Sequence, residues 1–491
     1  MIDENIKIHD QFSFEIKLGY QSQQEKGTSD YQVDTYLFIP DSLDINRHTY
    51  NKKDFYNDLK IHVRFITPIC VLKDILNCTI NPYHRLKEAC NTLIQKGKIK
   101  NILQFEFHVK MFCSIFTSSL SREIFHIKRN RNSQDANFLV QNFVENVNQI
   151  KNQYRELRKI LNVSTINQQH YLIYLFGDEF ISNTTEKYLF TLFSMIQKNK
   201  IKVDVSQKES VIAAIENVSK YRKQQGYLTP NEDQSNEELI YRRNVLKKYI
   251  QNVLFLNTRY KAEGKLAEHL LFGIAAGVSM LFATGVVFYV QQKYGNFTLP
   301  LFMTLIFSYM FKDRIKAIFG AYFKKFLRGF YSDKKTNFYS DRGQKVGYYK
   351  ENTDYISEKS IPSKIKKLRN KQHITDIENN WLGEKILLYQ KRTKLFSKYF
   401  NNIFQDYEVT GVNDISRINV QRFTQKMDNP KTKTYLLKNQ EIKTLNARRV
   451  YHINIIMKFH SINESFYKRY RMVLNRDGIK RIEKVGEETV N

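Results

Sequence analysis

Leu270–Gln292, LLFGIAAGVSMLFATGVVFYVQQ, contains no charged residue. A bilayer core about 30 Å thick needs roughly 20 apolar residues of helix, and this run meets that length. After a short polar break, Phe297–Phe311, FTLPLFMTLIFSYMF, is apolar again and ends at Lys312-Asp313-Arg314. The simplest reading is a two-helix transmembrane hairpin over residues 265–312. The second run is the shorter one. Tyr294 at one end and snorkelling Lys312 and Lys316 at the other extend it, and Pro300 falls in its first turn, where a missing backbone donor does little harm. The competing reading is a buried helical pair in a soluble fold, or a re-entrant second segment.

Orientation follows from the flanks. Arg242, Arg243, Lys247, Lys248, Arg259, Lys261 and Lys265 precede the hairpin, and Lys312, Arg314, Lys316, Lys324, Lys325 and Arg328 follow it. The connection Gln291–Asn296 holds only Lys293. The positive-inside rule therefore predicts a multi-pass protein with two spans and with both termini in the cytoplasm, at the inner membrane if the cell is bacterial. Met1–Tyr20 is polar and carries Asp3, Glu4, Asp10 and Glu15, so insertion is expected to depend on the hairpin and not on a cleavable signal.

The formal net charge of +29 over 491 residues implies polyanionic partners. With a membrane hairpin present, the bilayer and its anionic headgroups are the expected ones, ahead of nucleic acid. Residues 313–330 alternate apolar and basic side chains at helical spacing: Ile315, Ile318, Phe319, Tyr322, Phe323, Phe326 and Phe330 share a broad face. This predicts a basic amphipathic helix in the headgroup layer, with Lys316, Lys324, Lys325 and Arg328 contacting anionic lipid. A further cluster, Lys359, Lys364, Lys366, Lys367, Arg369 and Lys371, reads as part of an exposed basic linker over 331–379, a solvated charge run being the ordinary outcome.

The fold class expected around this hairpin is α+β. Residues 1–264 form a cytoplasmic α+β region. Phe12–Leu18, Gln32–Ile39 and Leu59–Ile66 read as strands bounded by turn chemistry near Gly27, Pro40 and Pro68. Helical periodicity then takes over in Asp135–Leu161, Thr185–Lys198 and Ser210–Lys223. A capping box at Ser235 and Glu238 opens another helix through Leu256, which is expected to lead straight into the first span. Residues 380–491 form a second cytoplasmic α+β region. Asn380–Phe404 and Asp414–Met427 read as helices. The tail then alternates from Val450 to Phe459, and Asn475-Arg476-Asp477-Gly478 is a hairpin-turn signal, so the chain ends in a small antiparallel sheet. Both termini could supply strands to one split domain; the sequence leaves that open.

Within the first span, Gly273 and Gly277 form a small-xxx-small pair that would let a neighbouring helix approach. The short connection makes the second span the expected neighbour, with a span of another copy, and hence a homo-oligomer, as the alternative.

Chemistry-bearing motifs are few. There is no phosphate-binding Gly-Lys-Ser/Thr loop, Gly-x-Gly-x-x-Gly, His-Glu-x-x-His or Gly-x-Ser-x-Gly. Cys70, Cys78, Cys90 and Cys113 make no CxxC pair; a zinc site on Cys78, His84 and Cys90 is outweighed by the reading of these thiols as small core residues. His452 with Arg448, Arg449, Arg469, Arg471 and Arg476 would make an anion patch if their strands pair, or else the polar outer face of a sheet. Gly177-Asp178-Glu179-Phe180 resembles the last four residues of the diguanylate cyclase signature. In that family a preceding glycine lets the backbone approach the nucleotide, whereas Phe176 stands there in this chain, and no acidic metal motif lies upstream. No catalytic residue, cofactor or metal ligand is assigned. The function expected is that of a cytoplasm-facing scaffold, sensor or regulator anchored in the membrane and holding a protein partner. The alternatives are an enzyme acting on lipid or nucleotide at the membrane face, and a membrane-associated nucleic-acid binder.

Overall fold

The computed structural model describes residues 2–490 apart from 23–26, 78–80, 96–97, 132–134, 163–166, 262, 264, 342, 371–382, 401–406 and 461–464. The described residues form a mixed α/β structure with antiparallel sheets and eleven α-helices. It divides into two compact units. One comprises Met1–Val63, Asn257–Tyr399 and Asn413–Asn491; the other comprises Arg64–Leu256 and Phe400–Val412. Boundaries at 264 and 380 therefore do not describe the fold, because strands from both ends of the chain share one sheet.

In the first unit, that sheet has eight strands in the order β14-β13-β12-β3-β8-β7-β6-β5, every neighbouring pair antiparallel. They are β3 (Thr28–Pro40), β5 (Asn257–Lys261), β6 (Lys334–Tyr339), β7 (Lys345–Ile356), β8 (Glu384–Phe396), β12 (Tyr451–His460), β13 (Ser465–Asn475) and β14 (Gly478–Val490). A four-stranded sheet, β1 (Ile2–Ile8), β2 (Ser13–Gln21), β9 (Gly411–Asn419) and β4 (Leu59–Phe65), in the order β1-β2-β9-β4, covers its inner face. Tyr20 of β2 stacks on Tyr31 of β3 with ring centroids 5.1 Å apart, and Asp414 of β9 meets Lys391 of β8.

The outer face changes character along the strands. In β3, Tyr31, Val33, Leu37 and Ile39 point inward, while Asp30, Gln32 and Asp34 give way to Tyr36 and Phe38 outward. The change marks where α10 (Ser363–Asn370) lies on the sheet: Ile365 and Leu368 pack against Tyr36, Phe38, Ile386, Ile456 and Tyr467. Arg369 closes this seam with two 2.7 Å bonds to Glu384. The expected linker over 331–379 is thus replaced by β6, β7 and α10 up to residue 370, and residues 371–379 lie outside the described ones.

The same two-sided burial explains the misread helices. Asn380–Phe404 contains β8, whose Leu387, Tyr389, Lys391, Thr393 and Leu395 face inward while Ile386 and Leu388 are apolar outward under α10. Apolar residues on both faces mimic helical spacing; Trp381, counted in that helix, lies outside the described residues. In Asp414–Met427, buried Asp414 and Ser416 disguise β9, and only Gln421–Thr424, α11, is helical.

The second unit is helical: α2 (Pro82–Gln95), α3 (Ile99–Arg129), α4 (Ala136–Leu161), α5 (Gln168–Gln197), α6 (Val205–Gln224) and α7 (Glu237–Gln251). The periodic segments expected over 135–161, 185–198 and 210–223 fall in α4, α5 and α6. Asn236, not Ser235, precedes α7, and β5 interrupts the expected direct passage from α7 into the apolar helix.

That apolar helix is α8 (Lys265–Tyr294), which packs along α9 (Leu299–Phe330). His269–Tyr294 is long and apolar enough to cross a membrane, the single such helix among the described residues. Two spans are not met by length and composition, because α9 supplies only Leu299–Phe311, about 20 Å of apolar helix at 1.5 Å per residue, before Lys312-Asp313-Arg314. Residues 313–330 are not a separate helix but the second half of α9.

Candidate functional site

Cross-strand register builds the site. Lys261 of β5 pairs with Lys335 of β6, Lys335 with Lys350 of β7, Lys350 with Arg392 of β8, Arg392 with Gln32 of β3, and Gln32 with His460 of β12. Residues paired across a sheet project to the same face. A row of basic side chains therefore crosses six strands on the part of the outer face that α10 leaves bare. The next row on that face contains Arg259, Asn337, Tyr348, Lys394 and Asp30.

Tyr348 sits between cations: the Lys335 ammonium lies 4.6 Å and the Lys345 ammonium 5.4 Å from its ring centroid. Glu263 answers part of this charge, accepting hydrogen bonds from Lys335 at 2.8 Å and Lys350 at 2.9 Å. Burial works to raise its carboxyl pKa, but those bonds outweigh it and hold the group below the usual glutamate range. Lys394 pairs with Asp30 at 3.4 Å. Burial, with Lys335 and Lys261 adding repulsion, pushes the Lys345 ammonium below its ordinary value. Burial, then Lys458 and Arg392, lowers His460, whose Nδ1 lies 3.1 Å from Ser465 Oγ. Between the rows an open concavity of about 530 Å³ is lined by Asp30, Gln32, Tyr348, Lys350, Arg392, Lys394 and His460 among others. Excess cations, an aromatic face and a neutral imidazole around an open hollow suit phosphate or carboxylate groups.

The residues singled out in the sequence lie elsewhere. Lys316 is exposed on α9; the side chains of Lys324, Lys325 and Arg328 lie outside the described ones. Gly273 and Gly277 face open space, since a Cβ at either would meet nothing within 4 Å. The helix contact runs instead along buried Ala275, Ser279 and Ala283, four residues apart, and at Gly320, where a Cβ would stand 3.0 Å from the Phe272 ring. The arginines near His452 divide: Arg471 and His452 both act on Glu483 and hold its carboxyl below the usual range, after the hydrogen bond from Arg481, while Arg469 and Arg449 are taken up by separate partners. Arg469 is fully buried and donates to Leu368 O and Asn454 Oδ1, Arg471 meets Glu483, and Arg449 meets Asp428. Burial, reinforced by Arg471 and Arg369, lowers Arg469 to about 10. Cys90 is a core thiol that burial pushes up to about 12; Cys78 lies outside the described residues. Among the described residues, no group of three or more His, Cys, Asp or Glu could hold a metal ion.

Gly177-Asp178-Glu179-Phe180 lies in the middle of α5 with all four residues buried, so the implied nucleotide loop is absent. Its acids hold the bundle together. Asp178 accepts from Tyr221 Oη at 2.7 Å and Tyr227 Oη at 2.8 Å, and Glu179 accepts from Arg242 at 2.7 Å. About two helical turns further on, Glu186 takes Arg222 and Arg243 at 2.6 and 2.5 Å. Gly177 is there for space: a Cβ would fall 2.1 Å from Tyr154 Oη and 2.9 Å from Val109 Cγ1. Gly177→Ala should therefore cost the bundle about 1–3 kcal/mol, read as a lowered denaturation midpoint; an unchanged midpoint would mean that the helices separate freely at this point.

The basic row escaped the sequence reading because its lysines fell in the supposed linker and helix. Lys391-Arg392-Thr393-Lys394, in which buried and outward residues alternate, was the available signal. Comparison with family models, curated proteins and solved structures gives no match.

Proposed function

We propose that this chain is a membrane-anchored scaffold that holds anionic headgroups against the outer face of its large sheet. The observation that carries this reading is continuity. β5 ends at Lys261 and the chain enters α8; α9 ends at Phe330 and the chain enters β6, so the basic row starts at the root of the apolar helices.

Side chains along both helices are exposed, among them Leu281, Phe288, Leu299, Phe302, Phe307 and Met310. An apolar surface of this extent is unfavourable in water and suits a lipid solvent. Because Lys261 pairs with Lys335, a crossing by α8 requires a return to the same sheet, and α9 provides it. Both helices then enter the bilayer, with the shorter apolar run of α9 completed by snorkelling of Lys312, whose ammonium lies 4.1 Å from the Tyr309 ring centroid. The basic flanks of the helices favour, by the positive-inside rule, a cytoplasmic position for both ends of the hairpin. Alkaline carbonate washing should leave the protein in the membrane pellet; its release would overturn the anchoring.

A second reading, single-stranded nucleic acid on the same face, draws on Tyr348 among its lysines, a stacking platform inside a cationic groove. It requires affinity that collapses with salt and a preference for strands over headgroups.

A further inference from the structure

Lys431–Lys438 (β10) and Glu441–Arg448 (β11) pair only with each other, and every residue in both strands is exposed. Asn439 and Gln440 join them with φ of 53° and 65°, the positive values of a two-residue type I′ turn. An isolated two-stranded ribbon is marginal in water, so this arm is built to meet something.

Its register shows what. On one face the directly opposed pairs run from the tip as Leu437 with Ile442, Tyr435 with Thr444, Lys433 with Asn446, and Lys431 with Arg448. Leu437, Ile442 and Tyr435 are among the most exposed large apolar side chains of the protein. Apolar, aromatic, then basic over roughly 20 Å of strand is the order of acyl chains, interface and phosphates met on entering a bilayer leaflet. The arm carries Lys431, Lys433, Lys438, Lys443 and Arg448 against Glu441 alone, a charge complementary to anionic lipid. On the opposite face Leu436 lies across from Lys443, whose stem can snorkel.

Alternating strand directions make β5 run with β3 and make β12 run against it, so the chain leaves β5 for α8 in the direction from which it enters β12 out of the arm. In register Lys261 and Lys335 stand level with His460, and Tyr451, next to the arm, lies nine residues, about 30 Å, further along that direction.

We infer that the β10–β11 arm is a second membrane contact, dipping Leu437, Ile442 and Tyr435 into the anionic leaflet from which α8 departs. Entry is shallow, because the ribbon's outer backbone groups are unpaired and must stay near water or headgroups. The inference rests on the anchoring proposed above, and its test separates the two.

Trp381, the single tryptophan, is replaced by Trp381→Phe in the full-length chain, and Leu437→Trp or Leu281→Trp is added. Each protein is reconstituted in phosphatidylcholine vesicles, with or without phosphatidylserine, that carry brominated acyl chains. Both indoles should lose emission to the bromines, the Leu437→Trp signal only when phosphatidylserine is present. Lys431→Glu or Lys433→Glu should each reduce the quenched fraction of the Leu437→Trp protein about fivefold. Quenching of Leu281→Trp alone would overturn the arm and leave the anchor standing. Quenching of Leu437→Trp alone would uphold the arm and overturn the anchor, and quenching of neither would overturn both. A blue shift of the Leu437→Trp indole without bromine quenching would also overturn the arm; dependence on protein concentration would assign the tip to a second copy, and dependence on added single-stranded RNA to nucleic acid.

Discussion

Lys391→Met should destabilise the sandwich by about 3–5 kcal/mol, the cost of breaking a buried ion pair by removing one partner. Lys391 Nζ lies 2.5 Å from Asp414 Oδ2 with both side chains 2% exposed, and 4.2 Å from the Tyr349 ring centroid. Glu351 is buried nearby, held by Tyr389 Oη at 2.6 Å, with its carboxyl already raised above the ordinary value by burial. Removing the ammonium leaves buried Asp414 without the cation it pairs with, and leaves Glu351 to Lys334.

The sign of the pH dependence follows. A carboxyl whose folded pKa is raised binds its proton more readily in the folded state, so the stability it contributes is lost as pH rises through the folded value. The penalty of Lys391→Met should therefore be fully developed at neutral pH and shrink as the pH falls toward about 4, the unperturbed carboxylate range. Adding Asp414→Leu should recover most of it. Denaturant-dependent hydrogen exchange of β7 and β8 amides reads the effect locally. A loss below about 1 kcal/mol would mean that this pair behaves like an exposed one.

The second large effect is expected on the basic face. Among the described residues, no carboxylate forms an ion pair with Lys261, Lys345 or Arg392, whereas Lys335, Lys350 and Lys394 share Glu263 and Asp30. The three uncompensated cations should thus supply most of the attraction. At about 1 kcal/mol each near an anionic surface, Lys261→Gln, Lys345→Gln and Arg392→Gln combined should weaken anion binding on the order of 100-fold. The probe is inositol hexakisphosphate, titrated by calorimetry into the full-length protein in phosphatidylcholine nanodiscs. Exposed charges are screened with a Debye length of about 8 Å at physiological salt, so the parent affinity should fall as salt rises and the triple variant should respond less. Unchanged affinity in the variant would place the anion site elsewhere. Stability should hardly move, since these side chains reach solvent and hold no buried partner.

Local pattern carried much of the fold. The strands at Ser13–Gln21, Thr28–Pro40 and Leu59–Phe65, the helices α4 and α6, the closing turn before Gly478 and the apolar character of α8 all follow from periodicity and turn chemistry in short windows. The sequence also set the net charge of +29. What it could not convey was which surfaces become inside. β8 and β9 looked helical because α10 buries the outer side of one and Lys391 buries an aspartate of the other; both causes lie outside the segment itself. The basic row exists only through register, since Lys261, Lys335, Lys350, Arg392 and His460 are brought side by side by strand pairing alone. Gly273 and Gly277 offered the right spacing, but the rotation of α8 against α9 turned them outward and put Ala275, Ser279 and Ala283 at the contact. Composition and period are properties of a segment, whereas burial, register and helix rotation are decided by what folds against it.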